Sequence, residues 1–193
     1  MTDHPTPSPS RRPVWRWLPW IGAATLLSLP AVVMAVGAEG VDWSPFDFIV
    51  MGVLLFGAAG ALELALSTSG HWAYRLAAAG TVGGALLMTW ADLAVGLLGP
   101  EGGLANKLLL LVPLTGLVGA AIARLRAGGM AWTTLAMAVV QLLVATVALT
   151  EPPTEKGLGW PWHIPMVTAV FTAGWLLAAG LFHRAASATS RLG

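Results

Sequence analysis

Residues 130–149 read MAWTTLAMAVVQLLVATVAL, and none of these twenty positions carries a charge. A helix rises 1.5 Å per residue, so this run predicts a rod of about 30 Å, the thickness of a bilayer's hydrocarbon. Five more runs of this kind occupy residues 17–38, 46–66, 73–98, 106–123 and 163–182. Lipid cannot hydrogen-bond an exposed peptide group, which favours helices that satisfy their own backbones. A membrane barrel would show short alternating strands instead, whereas these runs are continuous and rich in Leu, Ala and Gly. The predicted fold is all-α: a polytopic transmembrane helical bundle of six spans.

Composition agrees. Apolar residues make up 56% of the 193-residue chain, charged residues only 10%, and mean hydropathy is +0.75. A soluble domain carries about 25% charged residues. Residues 1–13, MTDHPTPSPSRRP, are polar and proline-rich and predict a disordered cytoplasmic tail. Residues 14–184 then form the six-helix transmembrane domain, and 185–193 a short cytoplasmic tail. The net charge of +1 gives no basis for nucleic-acid binding. With no cysteine, the chain has no disulfide, thiolate metal site or cysteine nucleophile.

The distribution of cations sets the expected orientation. Arg11, Arg12 and Arg16 precede the first span, Arg75 lies between the second and third, and Arg124 and Arg126 lie between the fourth and fifth. Arg184 and Arg191 follow the sixth, leaving only Lys107 and Lys156 for the other side. Both termini are therefore expected in the cytoplasm, in a cytoplasmic (inner) membrane. Glu39, Asp42, Asp47, Glu101, Glu151 and Glu155 then fall on the outer face. The first span has a basic start and a small-residue stretch at Val36-Gly37-Ala38, as a cleaved signal peptide would, but its uncharged run is longer than such peptides use. It reads as a retained anchor.

Local signals mark the helix ends. Ser44-Pro45-Phe46-Asp47 is a capping box with proline at the first helical position. Gly99-Pro100 ends the third span and Glu151-Pro152-Pro153 the fifth. Gly80 and Gly84, Gly116 and Ala120, and Gly174 and Ala178 are small residues four apart, which let helices approach closely. Most of the ten tryptophans fall at span ends, as interfacial anchors do; Trp90 and Trp175 lie within spans.

Ionisable groups inside spans are expensive and serve as functional candidates. Asp92 is expected about 9 Å below the outer edge of span three. The stretch Trp90–Asn106, WADLAVGLLGPEGGLAN, then brings Glu101 and Asn106 back to the same surface. With Asp47 at the outer start of span two, these oxygens and Trp90 could line a shallow outward-facing ligand site. His163 could add a nitrogen. Glu63 near the inner end of span two is expected to pair with Arg75, and the two are the candidate coupling groups. Gln141, mid-span, is expected to make an interhelical hydrogen bond. Histidines sit at span edges rather than facing each other inside the bundle, so haem is not expected; nor is any other cofactor or metal. No phosphate-binding loop, HExxH or nucleophile-elbow motif is present.

The Trp90–Asn106 stretch resembles a pattern in uncharacterised bacterial multipass membrane proteins. That pattern has a tryptophan, then Asn or Asp ahead of Leu-Ala-Val-Gly, then Gly, an acid and a later Asn. Asp92 stands here where Asn is common. Asp47-Phe48 and Tyr74-Arg75 are also similar, and the likeness spans residues 45–150. It implies a multipass helical architecture and brings no activity with it.

The expected function is that of a small integral membrane protein without chemistry of its own, an accessory or structural component. Its expected partners are the lipid bilayer and a second copy or another membrane protein. Two alternatives stay open. One is a small cation- or proton-linked transporter, working as an oligomer through Asp92 and Glu63. The other is a membrane-interface enzyme placing Asp92, Glu101 and His163 around a lipid head group. The orientation makes a direct prediction. Alkaline phosphatase fused at Arg126 stays inactive, whereas a fusion at Lys156 is exported and active.

Overall fold

All regular structure is α-helix in the computed structural model, which describes residues 17–37, 40–99, 103–151 and 162–190. The helices are α1 (Leu18–Ala35), α2 (Pro45–Thr68), α3 (Trp72–Val95), α4 (Leu104–Leu109), α5 (Leu111–Ala123), α6 (Ala127–Thr150) and α7 (His163–Ser190). With α4 and α5 as one unit, six are long and apolar enough to cross a membrane. The chain is an all-helical, multi-pass membrane protein. The tail at residues 1–13 lies outside the described residues.

The helices run up and down. Arg75, Arg124, Arg126 and Arg184 thus gather at one end, the arginine end; Asp42, Asp47 and Glu151 mark the other, the acidic end. The exterior is apolar: Val53, Ile122 and Leu177 are each about 70% exposed or more. Water would penalise such a surface; hydrocarbon does not.

Burial is uneven. In α6, 44% of the spanning window is buried, against 6% in α1. The centre of the bundle is α6, with α5 and α7 packed along it and α3 against α7. From the acidic end to mid-bundle the core holds Met88, Leu98, Leu109, Val112, Met137 and Trp175; near the arginine end it holds Tyr74, Met130, Ala178 and Phe182. The α1–α2 hairpin sits at the side, where Ala23, Leu55 and Ala59 form a small core of their own.

Span boundaries differ from the sequence expectation, and three of the differences have a visible cause. Helix α3 stops at Val95, because Gly96 takes φ 67° and turns the chain. The fourth span breaks at Leu110. Pro113 has no N–H to give the Leu109 carbonyl, which loosens the helix at that turn. Helix α7 continues to Ser190, past the apolar run, because Ala185-Ala186 favours helix without needing lipid. There Arg184 lies over the Trp72 ring, 5.4 Å from its centroid.

At the arginine end α5 turns into α6 through Arg124 (φ 50°) and Leu125 (φ 58°), both left-handed. Neither is a glycine, so the turn costs about 1–2 kcal/mol per residue. Tyr74 offsets part of that cost by donating its hydroxyl to the Leu125 carbonyl at 2.7 Å. Its ring meets Phe182 edge-on.

Of the small-residue pairs, Gly84 lies under Trp175 and Gly116 under Met137, while Gly80 and Gly174 face open space. The closest approach is at Gly119, where an added Cβ would stand 2.5 Å from Thr133 Cγ2. Gly119→Ala should therefore destabilise the bundle by about 1–3 kcal/mol. Thermal unfolding in detergent would show the loss, and Thr133→Ala in the same chain should recover part of it.

Candidate functional site

The expected outer site centres on Asp92. Because α3 ends at Val95, this residue occupies the last helical turn rather than lying six residues inside, and it is buried. Its backbone carbonyl accepts from Gly96 N–H at 3.0 Å and its side-chain Oδ1 from Leu97 N–H at 3.2 Å. Both donors belong to the segment that leaves the helix. The carboxylate therefore serves as a cap for a chain reversal inside the membrane region.

Asn106 completes the same task from the other side. Buried in α4, it accepts from Leu98 N–H at 2.8 Å and donates its Nδ2 to the Gly99 carbonyl at 3.1 Å. Leu98 is fully buried in the core, so its amide has no water to fall back on. One side-chain amide thus satisfies a donor and an acceptor of a backbone that has left its helix. Glu151 closes the other flank: its Oε1 accepts from Ala105 N–H at 3.0 Å, capping the start of α4 from the end of α6. Asp92, Asn106 and Glu151 thus form a latch on residues 96–99 and on the start of α4.

The sequence reading placed Asp92 and Asn106 on this surface and missed Glu151 as a member. Its partner is 46 positions away, and Glu151-Pro152-Pro153 reads only as a helix stop. Glu101 lies outside the described residues. Asp47 is exposed and acts on its own helix, accepting from Ser44 N–H at 2.7 Å and Ser44 Oγ–H at 2.8 Å while Ser44 Oγ caps Asp47 N–H. Trp90 is 44% exposed, whereas Asp92, two residues on and about 200° around the helix, is buried. The two therefore point to opposite sides of α3. His163 begins α7, and among the described residues its buried Nδ1 has no hydrogen-bond partner, nor has the second oxygen of Glu151. Among the described residues no three His, Asp or Glu side chains gather in a way that could hold a metal ion.

Glu63 accepts the indole N–H of Trp20 at 2.7 Å, a bond that ties α1 to α2. Arg75, its expected partner, is half-buried in the first turn of α3. Gln141 departs from expectation. It is fully buried in α6, yet neither end of its amide has a hydrogen-bond partner among the described residues.

Comparison with protein-family models, with curated proteins and with solved structures found no match.

The latch predicts a graded response. Asn106→Ala strands the buried Leu98 amide and should cost about 1–3 kcal/mol. It should also open the 96–103 segment to protease in detergent. Asp92→Asn keeps an acceptor oxygen and should cost less than Asp92→Ala in the same melting assay.

Proposed function

We propose that this chain is a small integral protein of the bacterial cytoplasmic membrane, with both termini in the cytoplasm. It works as a non-enzymatic accessory or structural component. The observation that carries this reading is the use made of its polar groups. Asp92, Asn106 and Glu151 hold backbone amides, Asp47 caps α2, and Glu63 receives the Trp20 indole. Each of these groups spends hydrogen-bonding capacity on the chain's own fold, which is the work of a structural residue. What remains outside is a broad apolar surface suited to lipid and to other spans.

The α1–α2 hairpin fits the same role. It packs on α3 chiefly through α2, so much of it stays open to neighbours in the bilayer. The Trp20–Glu63 bond also supports retention of the first span as an anchor, since cleavage would leave Glu63 without that donor inside the membrane. The likeness to uncharacterised bacterial multipass proteins is consistent with this architecture and adds no activity.

Two measurements test the reading together. Affinity purification from native membranes should return a membrane-protein partner, or a second copy, in fixed ratio. Purified protein in liposomes should pass protons, Na⁺ and K⁺ no faster than protein-free vesicles. Cation flux that Asp92→Asn abolishes would overturn the accessory role in favour of transport.

A further inference from the structure

Charge is least balanced at the arginine end. Arg75, Arg124, Arg126 and Arg184 lie there, and among the described residues the only acid in that half of the bundle is Glu63. Glu63 lies within α2 and already receives the Trp20 indole. Arg124, Arg126 and Arg184 are exposed, and none of the three is paired with an acid among the described residues.

These three cations come from separate segments that are tied together beneath them. Tyr74, in the first turn of α3, donates to the carbonyl of Leu125, the residue between Arg124 and Arg126. The same ring meets Phe182 of α7 edge-on at 5.1 Å, two residues before Arg184. Both rings are buried, so the α5–α6 turn and the late part of α7 are fixed against one core. The Trp72 ring holds Arg184 in place without neutralising its charge. The turn itself keeps Arg124 and Leu125 left-handed although neither is a glycine, and strain of that kind persists where the surroundings impose it, often at binding sites.

Two tryptophans give the depth. Trp72 is 53% exposed and Trp132 is 75% exposed, at the starts of α3 and α6. Exposed indoles at span ends lie at the level of the lipid head groups. Arg184 sits on Trp72, and six residues separate Arg126 from Trp132, a rise of about 9 Å. The guanidinium groups are thus at the level of the lipid phosphates.

We propose that the arginine end binds the phosphate of an anionic phospholipid, between the α5–α6 turn and the late part of α7. A guanidinium is charged at every physiological pH, and its planar fork of N–H donors fits two phosphate oxygens at once. A zwitterionic lipid brings its own cation beside the phosphate, which the arginines repel; a lipid of net negative charge does not. Dissolved phosphate offers the same oxygens but has no acyl chains to lie on the apolar exterior, where Ile122, two residues before Arg124, is 78% exposed. The inference needs only that the bundle spans a membrane, and is independent of orientation and of the accessory role.

The test is native mass spectrometry of the full-length protein, stripped of lipid in a neutral detergent and titrated with phosphatidylglycerol or phosphatidylcholine of identical chains. Phosphatidylglycerol should half-saturate at a concentration about tenfold lower, or lower still. Arg184→Gln should raise that concentration about fivefold, and Arg124→Gln with Arg126→Gln by more. Lys107→Gln removes the same unit of charge at the acidic end and should change nothing. All four positions are exposed, thermal unfolding without lipid checks the fold, and if one arginine variant misfolds the other decides. Equal affinity for the two lipids, or unchanged affinity in the folded arginine variants, would overturn the site. An equal loss in Lys107→Gln would do the same, since net charge alone would then draw the lipid. Displacement of phosphatidylglycerol by inorganic phosphate at matching concentration would show a site for the dissolved ion and overturn the lipid assignment.

Discussion

A peptide group inside hydrocarbon has no water to bond, and nearly every local feature of this bundle follows from that constraint. Where the helix is regular, the backbone satisfies itself. At several of the places where it yields, a side chain supplies the missing bond. Asp92 and Asn106 serve the break after Val95, and Glu151 serves the start of α4. Tyr74 serves the left-handed turn at Leu125, and His71 accepts from Ala73 N–H at the start of α3. These polar residues thus stand where the helices are interrupted.

The same constraint explains the arrangement of the core. Helix α6 holds the centre because its small and medium residues let α5 and α7 approach closely; Gly116 and Gly119 give α5 its seat against Met137 and Thr133. Packing of this kind replaces the hydrophobic effect, which does not distinguish helix from lipid. The α1–α2 hairpin lacks such a seat in the centre and is joined instead by a small core and the Trp20–Glu63 bond.

Much of this was legible in the residues themselves. Six apolar runs of bilayer length could only become spans, and the Ser44–Asp47 capping box formed as its spacing requires. Asp92 and Asn106 were recognisable as unusual, since polar groups in such a place need a reason. Their actual use was not legible. Residues 73–98 look helical throughout, and only the three-dimensional demand to bury Leu98 shows why the helix stops early at Gly96. Glu151 was hidden by sequence distance. Gln141 gave no sign in the sequence that its buried amide would have no partner among the described residues.

The order of the chain bears on how the protein is made. Helices α6 and α7 carry the most buried spans and emerge from the ribosome after the other four. The first four spans therefore enter the bilayer before their central scaffold exists. Each must be stable in lipid as a lone rod or hairpin, and the final architecture closes only when the C-terminal pair arrives.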